Sequence, residues 1–545
     1  MQLVVPMAGF GERFREAGYD RPKPLIDVLG RPMIAHVLDL FPGVDRVVLL
    51  CNAEHLDDPR WRMREALARI APRAEVVGVP SHRRGPVHTL ALGMAHVDPD
   101  DDVLMTMCDL CFVWDFPAFR EAVRGGPDGA VVVYRGFHPH LLRSVHYAFV
   151  RERGDRAVAI QEKASFTGDP MGNLEACSNG VYWMRSGALL ARYVERLQAD
   201  PGVAIGGERY VSQLYQPMID DGLDVRTHDT WCYMQWGNPR DLREFEHHAR
   251  GFARPAPAPI APLPGALVLP MAGLGQRFAD RGYGTPKPLL DVCGRPMVVA
   301  AARDLPPMER RVFVQRADLP GLREVQAALD AAFPGCEHVV LDGPTDGQAR
   351  TVLEGMRRAG VDRDLPVVVG ACDNGLRYDA AAHVGALAAS DALVWGVRGH
   401  PGAALHPRMY GWIDAHGGRV RGLSVKVPLG DPASDPAVVG TFSFRRAGDL
   451  EAAIVRLAAR DGRVRGELYL DSALEDALAA GLDLRLFEVD HYDGWGTPDD
   501  LETFRYWQRA LHHWPAHPYR VEHDPRVAPD AVARLSAWPS PVDVT

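Results

Sequence analysis

Apolar runs and segments of helical spacing alternate along the first hundred residues of the chain. Buried strands are predicted at residues 3–6, 44–52, 74–80 and 102–109. Between them, residues 61–71 and 88–97 repeat apolar positions every three or four residues, which is typical of amphipathic helices. Strands that alternate with helices predict an α/β fold with a doubly wound sheet.

The apolar stretch at the start of the chain belongs to a long internal repeat. VVPMAGFGERFREAGYDRPKPLIDVLGRPM, residues 4–33, returns as VLPMAGLGQRFADRGYGTPKPLLDVCGRPM, residues 268–297. No gap separates the landmarks, because Gly9 matches Gly273 and Lys23 matches Lys287 at one offset (273 − 9 = 287 − 23 = 264). A repeat of this length indicates duplication of a whole structural unit.

A segment of distinct composition lies between the two repeats and predicts a domain boundary. Residues 251–265, GFARPAPAPIAPLPG, are rich in Pro and Ala and lack apolar periodicity, which predicts an extended linker. We therefore expect a first repeat at 1–250, a linker at 251–265 and a second repeat at 266–510. An irregular tail is expected at 511–545.

The glycine-rich loop that follows the first strand is suited to binding phosphate. A strand that ends in such a loop and leads into a helix points backbone N–H groups at one place. Glycine allows positive φ and a close approach to an oxyanion. Arg13 adds a planar pair of donors, and Lys23 adds a compact charge.

The motifs G-x-G-x-R, P-K-P-L and G-R-P-M, present in both repeats, resemble the signature of the sugar-1-phosphate nucleotidyltransferases. The resemblance implies two tandem Rossmann-like, glycosyltransferase-A-like domains with mixed, mostly parallel sheets. It implies transfer of a nucleotidyl group from an NTP to a sugar 1-phosphate, with release of pyrophosphate. It also implies Mg²⁺ as cofactor, held by carboxylates with several waters retained.

The resemblance assigns roles to individual residues. The cationic catalytic residues are expected to be Arg13, Lys23, Arg277 and Lys287. The nucleotide-binding residues are expected to be Ala8, Gly9, Gly11, Gly85, Ala272, Gly273, Gly275, Gly347 and Gln348. The sugar-phosphate residues are expected to be Glu162, Lys163, Asn179, Gly180, Lys426 and Gly440. The metal-binding carboxylates are expected to be Asp109, Asp373 and Asp493.

The use of lysine supports this assignment. The chain has 61 Lys and Arg residues together, yet its only lysines are Lys23, Lys163, Lys287 and Lys426. They form two matched pairs, one pair in each repeat. Where Arg is the ordinary cation, lysine remains mainly where an ammonium does something that a guanidinium cannot.

Composition excludes several classes of protein. The net charge is −10, with no dominant basic patch, which argues against a nucleic-acid binder. No apolar run approaches the length of a membrane span. A strand is predicted at the first residues in place of a leader, and the scattered cysteines suit a reducing compartment, so a cytoplasmic protein is expected. The oligomeric state stays open, with a homo-oligomer among the alternatives.

The two repeats differ at two positions that matter for chemistry. The second repeat has Asp493 before its closing W-G-T-P motif, where the first has Met234. The second also has Gln348 in the loop expected to contact the base, where the first has Pro86, which lacks an N–H donor. We therefore expect the second repeat to be the better-equipped catalyst.

Two alternatives remain from the sequence. One or both repeats could bind a nucleotide or nucleotide sugar as a regulatory module without turnover. The enzyme could instead be a cytidylyltransferase that acts on a non-sugar phosphate such as phosphocholine, because the phosphate motifs recognise the NTP and not the acceptor. The base, the acceptor and the pathway are not indicated.

Overall fold

A computed structural model describes residues 1–143, 146–255, 258–271, 273 and 275–538. By internal contacts the chain divides into two units. The first comprises Met1–Glu246, Tyr506–His517 and Trp538, and the second comprises His247–Arg505 and Pro518–Ala537. The helices Pro239–Ala253 and Pro498–His513 each contribute residues to both units.

The first unit is built on a nine-stranded sheet. Its strands in spatial order are Glu75–Val79, Arg46–Asn52, Gln2–Met7, Val103–Thr106, Ala176–Met184, Gly129–Tyr134, Val225–Asp229, Arg156–Glu162 and Ala148–Arg153. The first four pair in parallel, as does Gly129–Tyr134 with Val225–Asp229, and the other pairs are antiparallel. A separate ribbon pairs Leu110–Val113 with Trp231–Gln235, and a small hairpin pairs Asp27–Val28 with Arg31–Pro32.

Helices cover this sheet because each has one apolar face. They are Glu12–Glu16, Met33–Leu38, Ala53–Asp57, Met63–Ile70, Pro86–Gly93, Phe116–Val123, Gly187–Ala199 and Tyr215–Asp220. Short 3-10 turns lie at Lys23–Leu25, Met94–His96, Pro139–Leu142, Pro201–Val203 and Val211–Leu214. Val4, Val48 and Met105 on the central strands are fully shielded from solvent, as the apolar runs predicted.

The second unit repeats the same strand order. Its sheet runs Glu337–Leu341, Met308–Arg316, Leu263–Pro270, Val367–Val369, Ala437–Phe444, Ala392–Val397, Leu484–Glu488, Arg419–Val425 and Gly411–His416. A ribbon pairs Asn374–Arg377 with His491–Gly494, and a hairpin pairs Asp291–Val292 with Arg295–Pro296. The predicted mixed α/β fold in two copies is therefore confirmed.

The helices of the second unit follow the same scheme. They are Gln276–Asp280, Met297–Asp304, Leu322–Ala332, Gln348–Arg358, Ala380–Ala388, Pro401–Leu405, Ala447–Ala459, Leu470–Ala479 and Val532–Leu535. Its 3-10 turns are Lys287–Leu289, Pro407–Met409, Val521–His523 and Pro529–Ala531. None of the helices in the described ranges combines the length and apolarity needed to span a membrane.

The predicted linker and tail need correction at their ends. Helix Pro239–Ala253 enters the linker region and strand Leu263–Pro270 begins within it, which leaves residues 254–262 between them. The tail predicted at 511–545 begins inside helix Pro498–His513. The helix continues because Ala510 and Leu511 still bury apolar surface, both at 0% exposed.

Candidate active site

The glycine-rich loop of each repeat takes the shape that its glycines allow. Gly11 has φ 64° and Gly275 has φ 67°, and each caps a five-residue helix, Glu12–Glu16 or Gln276–Asp280. Both positions therefore favour glycine for backbone shape. Gly275 is also short of space, because a Cβ there would lie 2.9 Å from Lys287 Cβ, whereas a Cβ on Gly11 would lie 3.5 Å from Lys23 Cβ.

The first glycine of each loop, Gly9 or Gly273, has unoccupied space where a side chain would lie. A Cβ on Gly9 or on Gly273 would meet nothing within 4 Å. The fold itself therefore does not require glycine there, and the space it leaves is available to a ligand. Ala8 is buried beside Gly9, whereas Ala272 lies outside the described residues.

A lysine–aspartate pair lies beside each loop. Lys23 Nζ donates to Asp109 Oδ2 and, at 3.1 Å, to the Gly237 carbonyl. Lys287 Nζ lies 2.5 Å from Asp373 Oδ2 and 3.4 Å from the Gly496 carbonyl. Both aspartates sit in the short loop between a sheet strand and a ribbon strand, at the carboxyl end of the sheet strand.

Burial and charge act in opposite directions on these lysines. Burial opposes the ammonium charge, but the neighbouring aspartate outweighs it and raises the pKa of Lys23 and of Lys287. Both lysines therefore stay charged at neutral pH, which is the form that binds phosphate.

The loop expected to contact the base is fixed to a neighbouring segment of the same unit. Gly85 has φ 82°, and a Cβ there would lie 2.6 Å from the Arg209 carbonyl. Val87 N–H donates to that carbonyl at 3.2 Å. In the second repeat, Gly347 has φ 131° and a Cβ would lie 2.5 Å from Leu468 N and O. These two glycines are required for packing, whatever the ligand.

Pro86 and Gln348 occupy the same place, the first residue of helices Pro86–Gly93 and Gln348–Arg358. A backbone N–H at this helical position has no acceptor within its helix. Gln348 can therefore offer both its main-chain N–H and its side-chain amide to a ligand, whereas Pro86 offers neither.

Lys163 and Lys426, the two lysines expected to contact the sugar phosphate, share an unusual backbone conformation. Lys163 has φ 58° and Lys426 has φ 60°. The N–H of Lys163 donates to the Tyr147 carbonyl at 2.8 Å, and that of Lys426 to the Tyr410 carbonyl at 3.1 Å. Two non-glycine residues with the same positive φ and the same kind of bond confirm that these lysines are structural equivalents.

Aromatic rings hold these two ammonium groups. Lys163 Nζ lies 4.0 Å from the centre of the Tyr210 ring and donates to its hydroxyl, and Lys426 Nζ lies 5.3 Å from the centre of the Tyr469 ring. Glu162, which precedes Lys163, accepts a hydrogen bond from Ser212 Oγ. Burial raises the pKa of Glu162, with Ser212 and Lys163 opposing the shift.

Asn179 was expected to contact the sugar phosphate, but its side chain bonds within the protein. Its side chain is fully buried, donates to Thr230 Oγ1 at 3.1 Å and accepts from Val181 N–H at 3.0 Å. Its geometry fits support of Gly180, whose φ is 90°, better than direct contact with a sugar. In the second repeat, Gly440 has φ 78° and lies near Ala371 and Asn374.

One cavity of about 690 Å³ brings the elements of the first repeat together. The predicted residues that line it are Ala8, Gly9, Gly11, Arg13, Lys23, Gly85, Asp109, Glu162, Lys163, Asn179 and Gly180. This volume is in the range of small-ligand sites. Lys23 and Lys163 thus face one space, although 140 residues separate them (163 − 23).

The cavity wall also contains residues that the sequence did not single out. Tyr147, Tyr210, Tyr233 and Gln235 line it, and Tyr233 donates to Gln235 Oε1 at 2.9 Å. Strand alternation could have indicated the last two, since they share one face of Trp231–Gln235 while Met234, fully buried, takes the other.

Asp493 was expected to be a metal ligand together with Asp373. Alternation of side chains along strand His491–Gly494 instead turns Asp493 to other partners. Asp493 is 4% exposed, with Oδ1 2.9 Å from His491 Nε2 and Oδ2 3.4 Å from Arg526 Nη1. Burial alone would raise the pKa of Asp493, but His491 and Arg526 hold it below its ordinary value. Burial, followed by the charges of Tyr410 and Asp373, raises the pKa of the neighbouring Tyr492. Asp493 corresponds to Met234, and both side chains are buried, at 4% and 0% exposed.

Comparison with known proteins finds a family model that matches the chain and several proteins of similar sequence. The sequence model of the MobA-like NTP transferase domain matches residues 3–165 and again residues 266–425. Bifunctional protein GlmU of Rhodopseudomonas palustris is 31% identical over 33% of this chain and 37% of its own length.

Two further relatives are more distant. CMP-5'-(3-aminopropyl)phosphonate synthase of Streptomyces rubellomurinus is 27% identical over 42% of this chain and 34% of its own. Mannose-1-phosphate guanylyltransferase catalytic subunit beta of Xenopus tropicalis is 23% identical over 44% of this chain and 62% of its own. The chain spans about a third of the length of the first two relatives.

Proposed function

The chain belongs to the family of MobA-like NTP transferase domains, with two copies in tandem, and from that membership we propose that it transfers a nucleotidyl group from an NTP to a sugar 1-phosphate. The products are a nucleotide sugar and pyrophosphate. The observation that carries the proposal is the shared cavity of the first repeat, where Lys23 and Asp109 lie at one part of the wall and Glu162 and Lys163 at another. A mannose-1-phosphate guanylyltransferase is among the relatives, which supports a sugar phosphate as acceptor.

The proposed reaction is in-line attack by an acceptor phosphate oxygen on the α-phosphorus of the NTP. A P–O bond forms there as the bond to the β-phosphate oxygen breaks, and pyrophosphate leaves with that electron pair. Two polyanions must meet, so positioning and neutralisation of charge dominate the barrier. Lys23 and Arg13 would hold the triphosphate of the NTP, and Lys163 would hold the phosphate of the acceptor.

We propose Mg²⁺ as the cofactor, held by Asp109 in the first repeat and Asp373 in the second. Each carboxylate is partly exposed, at 18% and 29%, beside the lysine expected to contact phosphate. Mg²⁺ suits such a site, because it commonly takes one or two carboxylates together with phosphate oxygens and water. When bound, the ion would neutralise phosphate charge. The lysines would then exchange their aspartate partners for phosphate oxygens.

We also propose that the second repeat is the better catalyst. Asp493 is not part of the support for this proposal, because its carboxylate bonds to His491 and Arg526. The remaining support is the base loop, where Gln348 offers donors that Pro86 lacks. In the first repeat, Glu162 and Lys163 still favour binding of a phosphorylated ligand. The proposed place of action is the cytoplasm, where NTPs are available.

A second candidate function is cytidylyl transfer to a non-sugar acceptor. The observation that favours it is the relative whose name is a CMP-phosphonate synthase. A non-catalytic first repeat that binds nucleotide or nucleotide sugar is the third alternative, favoured by Pro86.

One experiment separates these functions. The purified full chain is incubated with Mg²⁺, each of the common NTPs and a panel of sugar 1-phosphates, phosphocholine and phosphonates, and pyrophosphate release is measured. We expect release with an NTP and a sugar 1-phosphate. Release only with CTP and a non-sugar acceptor would favour the second candidate. No release with any pair, despite nucleotide binding by calorimetry, would favour a binding module.

A further inference from the structure

The second unit contains a cluster of imidazoles that the proposed reaction does not use. His247 and His248 are consecutive on helix Pro239–Ala253, and His491 begins strand His491–Gly494. A ring nitrogen of each lies within 4.8 Å of one from each of the other two. His248 and His491 are 9% and 4% exposed, and His247 is half-buried. We propose that these three residues bind a divalent transition-metal ion such as zinc.

The donor set selects the class of metal. Imidazole nitrogens suit zinc, nickel and copper, whereas Mg²⁺ prefers oxygen ligands. Three protein ligands with a further position open to water is a common zinc arrangement. This site is therefore chemically distinct from the carboxylate sites at Asp109 and Asp373.

Two of the rings already have the outer contacts that orient a metal-binding histidine. His491 Nε2 lies 2.9 Å from Asp493 Oδ1, and His247 Nε2 lies 3.3 Å from the Tyr492 carbonyl. A ligating imidazole normally donates its second N–H to a carboxylate or carbonyl, which fixes its tautomer and its orientation. If Nε2 keeps these bonds, Nδ1 is the nitrogen of each ring that would bind the metal. Arg526 contacts the other oxygen of Asp493 and so holds this carboxylate in place.

The helix backbone is shaped to admit the His491 ring. A Cβ on Gly251, one turn after His247, would lie 2.2 Å from His491 Nε2 and 2.3 Å from its Cε1. The ring centres of His247 and His491 are 4.3 Å apart. Any side chain at position 251 would separate the ligands, so glycine here maintains their approach.

The consequence for the second unit follows from the neighbours of His491. The strand that begins at His491 pairs with strand Asn374–Arg377, which directly follows Asp373, and it leads to Gly496, whose carbonyl lies 3.4 Å from Lys287 Nζ. A metal ion at the three histidines would fasten this strand to the helix. It would thereby act as a structural support for the site of the second repeat.

The full chain, prepared without a polyhistidine tag, tests the proposal. After zinc loading and desalting, elemental analysis should find about one tightly held zinc ion per chain. Zinc should raise the melting temperature by a few degrees, and a chelator should reverse the rise. His247→Gln and His491→Gln should each lower zinc affinity at least about tenfold and abolish the thermal shift.

The chain offers a matched control in a second group of candidate ligands. Asp330, Cys336 and His338 lie together near the surface, with Cys336 Sγ 3.6 Å from His338 Nε2. Cys336→Ser should retain the tight zinc ion and the thermal shift. Loss of the zinc in Cys336→Ser with its retention in both histidine variants would overturn the proposal, as would absence of tight zinc in the unmodified chain.

A spectroscopic measurement on the unmodified chain tests the proposal even if the variants fail to fold. Co²⁺ bound by three imidazoles should give visible d–d absorption without the near-ultraviolet charge-transfer band of a cobalt–thiolate bond. A thiolate band at the first equivalent of Co²⁺ would assign the tight site to a cysteine and contradict the proposal.

Discussion

Lys287 Nζ lies 2.5 Å from Asp373 Oδ2, and Lys23 forms the same pair with Asp109 in the other repeat. Each lysine also donates to a carbonyl of the closing motif, at Gly496 or Gly237. A cation and a carboxylate that hold each other at the carboxyl end of a strand can separate when phosphate and metal arrive.

Removing the ammonium of the second repeat should slow catalysis. We expect Lys287→Ala and Arg277→Ala each to lower turnover at least about tenfold, because a lost charge contact raises the barrier by about 1.4 kcal/mol or more. Lys287→Arg should also be poor, since a planar guanidinium cannot replace the ammonium beside Asp373. Pyrophosphate release gives the rates. The exposed Arg323→Ala is the control for loss of a cation in the same unit. Wild-type turnover in Lys287→Ala would remove this lysine from the mechanism.

The two aspartates can show which repeat is active. We expect Asp373→Asn to reduce pyrophosphate release more than Asp109→Asn in the full chain, because the second repeat retains the base-loop donors. Asp364→Asn serves as the control and should keep kcat, since this side chain of the same unit is 78% exposed. If Asp109→Asn abolishes release and Asp373→Asn does not, the assignment is inverted. If Asp373→Asn and Asp109→Asn each lose turnover of a different NTP, both repeats contain an active site.

Two glycines of the second repeat should affect different properties of the protein. We expect Gly347 to matter for the stability of the fold and Gly273 for the binding of NTP. Gly347→Ala forces a Cβ to within 2.5 Å of Leu468 backbone atoms at φ 131°, so we expect a loss of stability of about 1–3 kcal/mol. Gly273→Ala meets nothing within 4 Å and should unfold like the wild type while it binds NTP more weakly. Urea unfolding and nucleotide titration measure the two effects. Equal stability of both variants would contradict the close approach at Gly347.

Stability should depend on pH through Asp304. Burial raises the pKa of this carboxyl from 3.8 to about 6, although Arg526 and Arg377 oppose the shift. A raised pKa in the folded state means that its contribution to stability is complete below about pH 4 and is lost as the pH rises through 6. Asp304→Asn should therefore gain stability relative to the wild type between about pH 4 and 7. Unfolding free energies at several pH values test this, and a constant difference across the range would refute it.

The first unit should depend on residues from near the end of the chain. Trp514 lies 6.0 Å from Trp236 and 5.7 Å from Phe245, measured between ring centres, and is 4% exposed. We expect Trp514→Ala to destabilise the protein by about 3–5 kcal/mol, as for other buried aromatic truncations. Residues 1–250 expressed alone should likewise unfold more readily than the full chain. Undiminished thermal stability of that fragment would show that Tyr506–His517 is dispensable.

The amino-acid sequence by itself determined the features that depend on local spacing. The ungapped repeat, the glycine-rich loops and the four lysines predicted two α/β units with a phosphate site in each. Lys163 and Lys426 could be paired from their positions alone, and their shared positive φ bears this out. Such features are local because turn geometry and helix starts depend on neighbouring residues.

Only the tertiary structure decided which side chains meet across the fold. A strand turns successive residues to opposite faces, so Tyr492 and Asp493 lie on opposite faces of their strand, and Asp493 is the one turned to Arg526. Tyr233 and Gln235 entered the cavity, and Met234 did not, for the same reason. His491 met His247 because a glycine 240 residues earlier leaves room for its ring (491 − 251). These relationships depend on register and long-range packing, which no short stretch of sequence contains.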